Sequence, residues 1–228
     1  MTTRLTWYGH AAFELQIGNA HVLIDPFLDD NALSPVSSNE LEADYILITH
    51  GHGDHVGDAV EIAERTGALV ISNFEICNWV QSQGIERVHP QHIGGGYPHA
   101  FGYVKLTIAH HGSSLPDGSY GGQPAGLLIT LEDDKRVYFA GDTGLFYSMS
   151  LIGEEGLDLA VLPIGDNFTM GPDDALRAVK LLQPKFVIPI HYNTFEVIEQ
   201  DPNVWTKSVQ AETSTTPLLL KPGDSITL

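Results

Sequence analysis

Cysteine is nearly missing from this chain. Cys77 is the only one among 228 residues, which excludes an internal disulfide framework and any cysteine-rich metal knuckle, and fits a reducing compartment. It falls in the apolar run FEICNWV (74–80), where a buried structural thiol is expected rather than a nucleophile. Positive charge is scarce as well: 11 Lys and Arg stand against 29 Asp and Glu, a net charge of −18 with histidine neutral. A field of that sign repels phosphate backbones, so no nucleic-acid partner is expected. No apolar run approaches a membrane span, and the start MTTRLTWYGH lacks the apolar core of a secretory leader. A cytoplasmic protein without a membrane partner is therefore the expectation. Low-complexity tracts, flexible linkers and internal repeats are absent too, so one domain over residues 1–228 is expected, long enough to bury its own core.

What the chain does have is a series of short apolar runs rich in β-branched residues. HVLI (21–24), YILIT (45–49), VKLTIA (104–109), GLLITL (126–131), RVYFA (136–140), LDLAVL (157–162) and KFVIPI (185–190) read as strands. Several are apolar at successive positions, as strands covered on both faces are. Between them lie amphipathic segments. Residues 56–66 place Val56, Ala59, Val60 and Ala63 on one face and stop at Gly67, and residues 172–182 open with Pro172 and two acids and stop before Pro184. Both read as helices. The tail TPLLLKPGDSITL reads as a hairpin with PGD in its turn. Strands and helices interleave, so the fold class is α/β in layers.

Polar residues sit at the strand ends. HVLI ends at Asp25, YILIT runs into His50, VKLTIA into His110–His111, RVYFA into Gly141–Asp142, and KFVIPI into His191. Five strands that each deliver a His or Asp at the carboxyl end point to one shared site. The stretch THGHGDHVG (49–57) crowds His50, His52, Asp54 and His55 into a single turn. Protonated, these imidazoles would repel one another; facing cations, they would not. Imidazole and carboxylate together suit Zn²⁺, Mn²⁺ or Fe²⁺. His50 and His52 can point the same way, and Asp54 and His55 can serve a second ion.

At these residues the sequence resembles the metallo-β-lactamase superfamily. THGHGDH matches its signature, IDPF with Asp25 its first motif, and GDT (141–143) its aspartate motif. The likeness is closer to a subgroup of uncharacterised metal-dependent hydrolases related to L-ascorbate 6-phosphate lactonase, through WYGHAAF, DPF, HGHGDH, SSLPDG, GDT, PIGDNFTMGP and PIHYNTF, which span residues 7–195. The resemblance implies a four-layer αββα sandwich with the site on one edge. It also implies one metal held by His50, His52 and His111, a second by Asp54, His55 and His191, and Asp142 between the two. Asp25 would orient those ligands from behind. The segment AHHGSS departs from the family pattern by offering two adjacent histidines. Matching through SSLPDG selects His111, and neighbours on a strand face opposite ways, so His110 would point elsewhere.

The function so implied is a binuclear metal-dependent hydrolase of a small-molecule ester, lactone or related substrate. The expected nucleophile is a hydroxide held between two divalent ions, Zn or Mn foremost and Fe as a third choice, whose charge lowers the pKa of water to about 7. Asp54 is expected to orient it, and His10, in WYGHAAF, to contact substrate or support the ligands. DNFTMG (166–171) and Tyr192 could line the pocket or serve packing alone. Other superfamily members act as phosphodiesterases or nucleases, or hold a di-iron redox centre. The acidic balance weighs against nucleic acid, and His52, where the redox members carry glutamate, against the latter. Oligomeric state, homo-oligomers included, is not legible in the sequence.

Overall fold

The computed structural model describes residues 2–228. Strands β1 (Thr3–Trp7), β2 (Phe13–Ile17), β3 (Ala20–Ile24), β4 (Tyr45–Leu47), β5 (Leu69–Asn73) and β6 (Val88–Gln91) build the first sheet. The second holds β7 (Gly96–His99), β8 (Gly102–Ile108), β9 (Ala125–Thr130), β10 (Arg136–Phe139), β11 (Leu159–Pro163), β12 (Phe186–Ile190) and β13 (Thr216–Pro217), while β14 (Ser225–Thr227) returns to the first. The strand orders are β14-β1-β2-β3-β4-β5-β6 and β13-β12-β11-β10-β9-β8-β7. In each sheet an antiparallel half joins a parallel half, which begins at β3–β4 in the first and at β10–β11 in the second.

Alternation along the strands explains the layers. Val22 and Ile24 of β3 belong to the core between the sheets, together with Leu106, Leu127, Ile129 and Phe139 of the second sheet. Leu23, between them in sequence, faces outward into a second core with Ile46, Val70 and the apolar faces of helices α2 (Ala59–Thr66) and α3 (Phe74–Ser82). Short α1 (Gly53–Val56) precedes them, and α4 (Met149–Gly153), α5 (Pro172–Leu182) and α6 (Pro202–Glu212) follow. Met149, Val179, Leu182, Trp205 and Val209 of these last three are buried with the second sheet. The result is the αββα sandwich that the resemblance implied. Among the described residues, no helix is long and apolar enough to cross a membrane.

Two expectations are corrected. The single helix read over 56–66 is broken at Gly57, where φ is +44°. A Cβ there would lie 2.5 Å from the Pro26 carbonyl oxygen and 2.6 Å from the Phe27 Cα, so the chain stops α1, passes the 26–27 backbone, and starts again as α2. The tail is no hairpin. Its PGD turn does form, with the Asp224 amide donating to the Lys221 carbonyl. But β13 pairs with β12 and β14 with β1, in different sheets. Both halves of the tail find longer partners in the sandwich than they could be to each other.

Candidate metal centre

The parallel halves of the two sheets aim their carboxyl ends at one edge, and the polar residues that follow meet there. All eight residues expected at the site fall into three overlapping groups whose nitrogen or oxygen atoms lie within 4.8 Å of one another: His50, His52 and His111; His50, His55 and Asp142; His10, Asp54, His55 and His191. The structure thus brings together side chains from five segments of the chain. The loops that carry them are stitched across the sandwich. The Ala125 amide donates to the Thr49 carbonyl and the Gly144 amide to the His110 carbonyl. The Ser113 hydroxyl accepts from the Gly51 amide.

One side of the site is nitrogen only. His50 Nε2 lies 3.0 Å from His52 Nδ1, and His111 Nε2 lies 3.2 Å from the same atom. Burial holds His50 well below the usual imidazole range, with the charge of His55 adding to it. Burial lowers His111 likewise. His110, by contrast, has its ring against Phe146. Its backbone amide donates to the Thr143 hydroxyl at 2.9 Å, which ties the His110–His111 segment to the residue after Asp142.

The other side is rich in carboxylate. Asp25, buried at the end of β3, accepts from the Thr49 amide at 2.8 Å, the Thr49 hydroxyl at 2.6 Å and His55 Nδ1 at 2.8 Å. This one carboxylate fixes the protons of two imidazoles. His55 must carry its hydrogen on Nδ1 to donate to Asp25, so Nε2 is left with a free lone pair. The Thr49 hydroxyl hydrogen is spent on Asp25, so Thr49 accepts from His50 Nδ1 at 3.0 Å, and His50 Nε2 is likewise left free. Both open nitrogens face the cluster.

His55 Nε2 lies 3.3 Å from Asp142 Oδ1, and His191 Nε2 lies 2.9 Å from Asp142 Oδ2. Close as they are, these atoms are misaligned for hydrogen bonding: His55 Nε2, His191 Nε2 and Asp142 Oδ1 are buried without a hydrogen-bond partner. Burial opposes charge on His55, but Asp142 and Asp25 on either side outweigh it and raise its pKa well above the ordinary value. Burial would raise the Asp142 carboxyl, yet the charges of His191 and His55 hold it well below the usual range. The field that favours a proton on His55 Nε2 equally favours a metal cation.

His10 is buried behind this side. Its Nε2 lies 3.1 Å from Asp54 Oδ2 and its Nδ1 2.8 Å from the Thr194 hydroxyl. Burial pushes its pKa down to about 4, against the opposing pull of Asp54. A neutral His10 with hydrogen on Nε2 donates to Asp54 and accepts from Thr194. Asp54 is the open carboxylate, 26% exposed against 3% for Asp142. Burial would raise its pKa, but the bond from His10 and the charge of His55 bring it below the usual range.

Six non-glycine residues around this edge, His10, Asp25, Asp166, Asn167, His191 and Asn193, have positive φ. Each such conformation costs about 1–3 kcal/mol and persists only where its surroundings impose it. The 166–171 turn reaches the site through its backbone, the Met170 amide donating to the Thr143 carbonyl at 2.9 Å. Tyr192 is buried with its ring 6.0 Å from Trp7 and serves packing. Sequence reading missed Thr49, Thr143 and Thr194 as supporting residues. The signal was there, since each is one or three residues from a ligand candidate in ITHGH, GDT or HYNT.

A donor set of imidazole nitrogens and carboxylate oxygens, converging from a buried shell with unpartnered atoms and with tautomers fixed from behind, fits divalent metal ions. Buried polar atoms are normally hydrogen-bonded, and half of those left unpartnered among the described residues belong to His55, His191 and Asp142.

Comparison with known proteins agrees with this geometry. The family model described as the beta-lactamase superfamily domain matches residues 20–192. A protein named UPF0173 metal-dependent hydrolase, from Bacillus thuringiensis (strain Al Hakam), is 48% identical over 231 residues, covering 99% of this chain and 100% of its own length. The solved structure of Igni18, a metallo hydrolase from the hyperthermophilic archaeon Ignicoccus hospitalis KIN4/I, superposes with a TM-score of 0.91 at 38% identity, covering 100% of this chain and 99% of the other. An isothiocyanate hydrolase from Delia radicum gut bacteria shares the fold at a TM-score of 0.77 and 22% identity, over 99% and 98% of the two chains. A fold of two mixed sheets between helices, a histidine–aspartate cluster at one edge, and matches over that much of the chain lead to one conclusion: this protein belongs to the metallo-β-lactamase superfamily.

Proposed function

We propose that the protein is a metal-dependent hydrolase that holds two divalent ions and acts on a small-molecule ester, lactone or related electrophile. One ion would be held by His50, His52 and His111, the second by Asp54, His55 and His191, with Asp142 between them. The observation that carries this reading is the set of buried, unpartnered atoms on His55, His191 and Asp142. Zn²⁺ and Mn²⁺ suit the nitrogen–oxygen donor set best, with Fe²⁺ as a third choice. When bound, divalent ions there supply Lewis acidity and lower the pKa of water to about 7.

The remaining chemistry belongs to the chain. Asp25 keeps the protons of His50 and His55 away from the cluster. Asp54, the open carboxylate, stays ionised and orients the attacking water. His10 acts through Asp54 as a positioning residue, its Nε2–H fixing Oδ2. The leaving group takes its proton from solvent or from a nearby acid. The name of the isothiocyanate hydrolase places a neutral C=N electrophile in the panel of substrates to try.

The test is metal content. Protein purified without chelator and measured by mass spectrometry should carry close to two ions per chain, with His52→Ala and Asp142→Ala each losing metal and hydrolysis together. A wild-type chain that arrives without metal and takes up neither Zn²⁺ nor Mn²⁺ would sink the hydrolase reading.

A further inference from the structure

We propose that the substrate is an uncharged small molecule with an aromatic or otherwise apolar body, and that anionic substrates, phosphorylated ones included, are disfavoured. This rests on the hydrolase reading and adds to it the chemical class of what is hydrolysed. The first support is the placement of the positive charges. None of the 11 Lys and Arg residues falls in the segments that carry the cluster and its rim, which are 7–13, 25–36, 48–58, 109–124, 140–150, 163–171 and 191–201. Six of them are engaged elsewhere: Arg65 with Glu42, Lys105 with Glu155, Lys135 with Asp133, Arg177 with Asp174, Lys180 with Glu212 and Lys185 with Asp158. A phosphate or carboxylate remote from the reacting bond would find no guanidinium or ammonium on these segments to bind it.

Metal ions would not fill that gap. The carboxylates of Asp25, Asp54 and Asp142 would offset most of the charge that a pair of divalent ions brings. The segments at the rim add exposed acids, Asp117, Asp166 and Glu196, to a chain of net charge −18. An anion approaching this edge is repelled.

The second support is what the rim exposes in place of cations. Phe195 is 39% exposed and its ring centre lies 5.5 Å from that of His10. Phe168, 54% exposed, stands at the tip of the 166–171 turn, where Asp166 and Asn167 have positive φ and the Met170 amide ties the turn to the Thr143 carbonyl. Tyr147, 84% exposed, follows Asp142 by five residues. Tyr120, 68% exposed, precedes Gly121, whose amide donates to the Ser113 carbonyl beside the Gly51 turn. Phe195 therefore borders the cluster, and three more exposed rings stand on loops that carry its ligands or are tied to them. Rings left in water on loops this firmly held are suited to cover an apolar ligand body.

Two matched pairs of probes test this on the full-length, metal-loaded protein. Turnover is read with 2-naphthyl acetate against its 6-sulfonated form, and binding by fluorescence with 2-naphthol against 6-hydroxynaphthalene-2-sulfonate; the sulfonate carries a permanent negative charge and is a poor metal ligand. The neutral member should win by about tenfold or more in both kcat/KM and Kd, with the gap narrowing as salt screens the rim. Phe168→Ala should weaken naphthol binding about threefold or more through lost ring contact. Glu196→Lys should shrink the neutral preference. Equal or better binding and turnover of the sulfonated pair would overturn the inference. Selective binding of naphthol with no turnover of the ester, a lactone or an isothiocyanate would leave it standing and remove the hydrolase reading instead.

Discussion

The molecule holds two crowded groups of histidines, and only one of them is built for metal. At the sandwich edge by β6 and β7, His89 and His99 have ring centres 4.9 Å apart, with Tyr97 4.3 Å from His89 and Phe101 stacked 5.6 Å from His99. At the other group, His50 and His55 are 4.1 Å apart and His10 and His191 also 4.1 Å. Ring spacing does not separate the two. What differs is the surroundings: carboxylates of Asp25, Asp54 and Asp142 at the metal centre, and aromatic rings with one side-chain amide, Gln91, at the other. Burial, with the charge of His89 adding to it, lowers His99 to about 4, whereas His55 is raised by its flanking acids despite burial. Crowding alone therefore says little about a histidine group. Acids that fix tautomers and attract a cation are what make it a site.

Removing the acid that makes this distinction should have the largest effect. Asp25→Asn replaces an acceptor of three hydrogen bonds with an amide whose single oxygen cannot take all three donors, and whose NH2 would face one of them. Metal affinity should fall by about 10–100-fold, read by titration against a competing chelator; unchanged affinity would show that the tautomers need no such anchor. A smaller effect is expected one step further out. Thr194→Val removes the hydroxyl donor to His10 Nδ1 and should lower kcat/KM by about fivefold, the worth of one buried hydrogen bond, with metal content per chain unchanged. A loss of metal in that variant would mean that His10 supports the ligands and not Asp54 alone.

The smallest effect is expected at the aromatic group. The folded chain resists protonating His99 until about pH 4, while the unfolded chain takes up that proton near pH 6.5. Unfolded protein thus binds more protons between these values, so His99 weakens the native state as pH falls through that window. His99→Phe should flatten the decline of Tm between pH 7 and pH 5 and leave the bound metal untouched. A decline as steep as in the wild type would mean that other groups set the acid stability.

Much of this was legible in the sequence, because strand ends and periodicity are local properties. Asp25, His50, Asp142 and His191 follow strands of the parallel halves, whose ends had to converge, and His111 follows β8, which runs the same way as β10 across the antiparallel β9. Helix α5 was readable to the residue, from Pro172 to Leu182, because proline and the acids mark its start. The break at Gly57 was not, since it answers to Pro26 and Phe27 across the loop. Nor was the division of the tail between two sheets, which depends on where β1 and β12 leave open edges. The threonines around the cluster escaped for a similar reason: whether a hydroxyl caps a turn or holds an imidazole is decided by residues far away in sequence.

Gly57 has one more implication. The backbone of the HGHGDH turn lies directly against that of the DPF loop, with no room for a methyl group between them. The distance from Asp25 to His55 is thus gauged by the thickness of two peptide groups, a length that no side-chain substitution alters. The apolar residues of α2 and α3 can drift in size and shape while this gauge holds, and the alignment of the carboxylate with the imidazole is insulated from the packing beneath it.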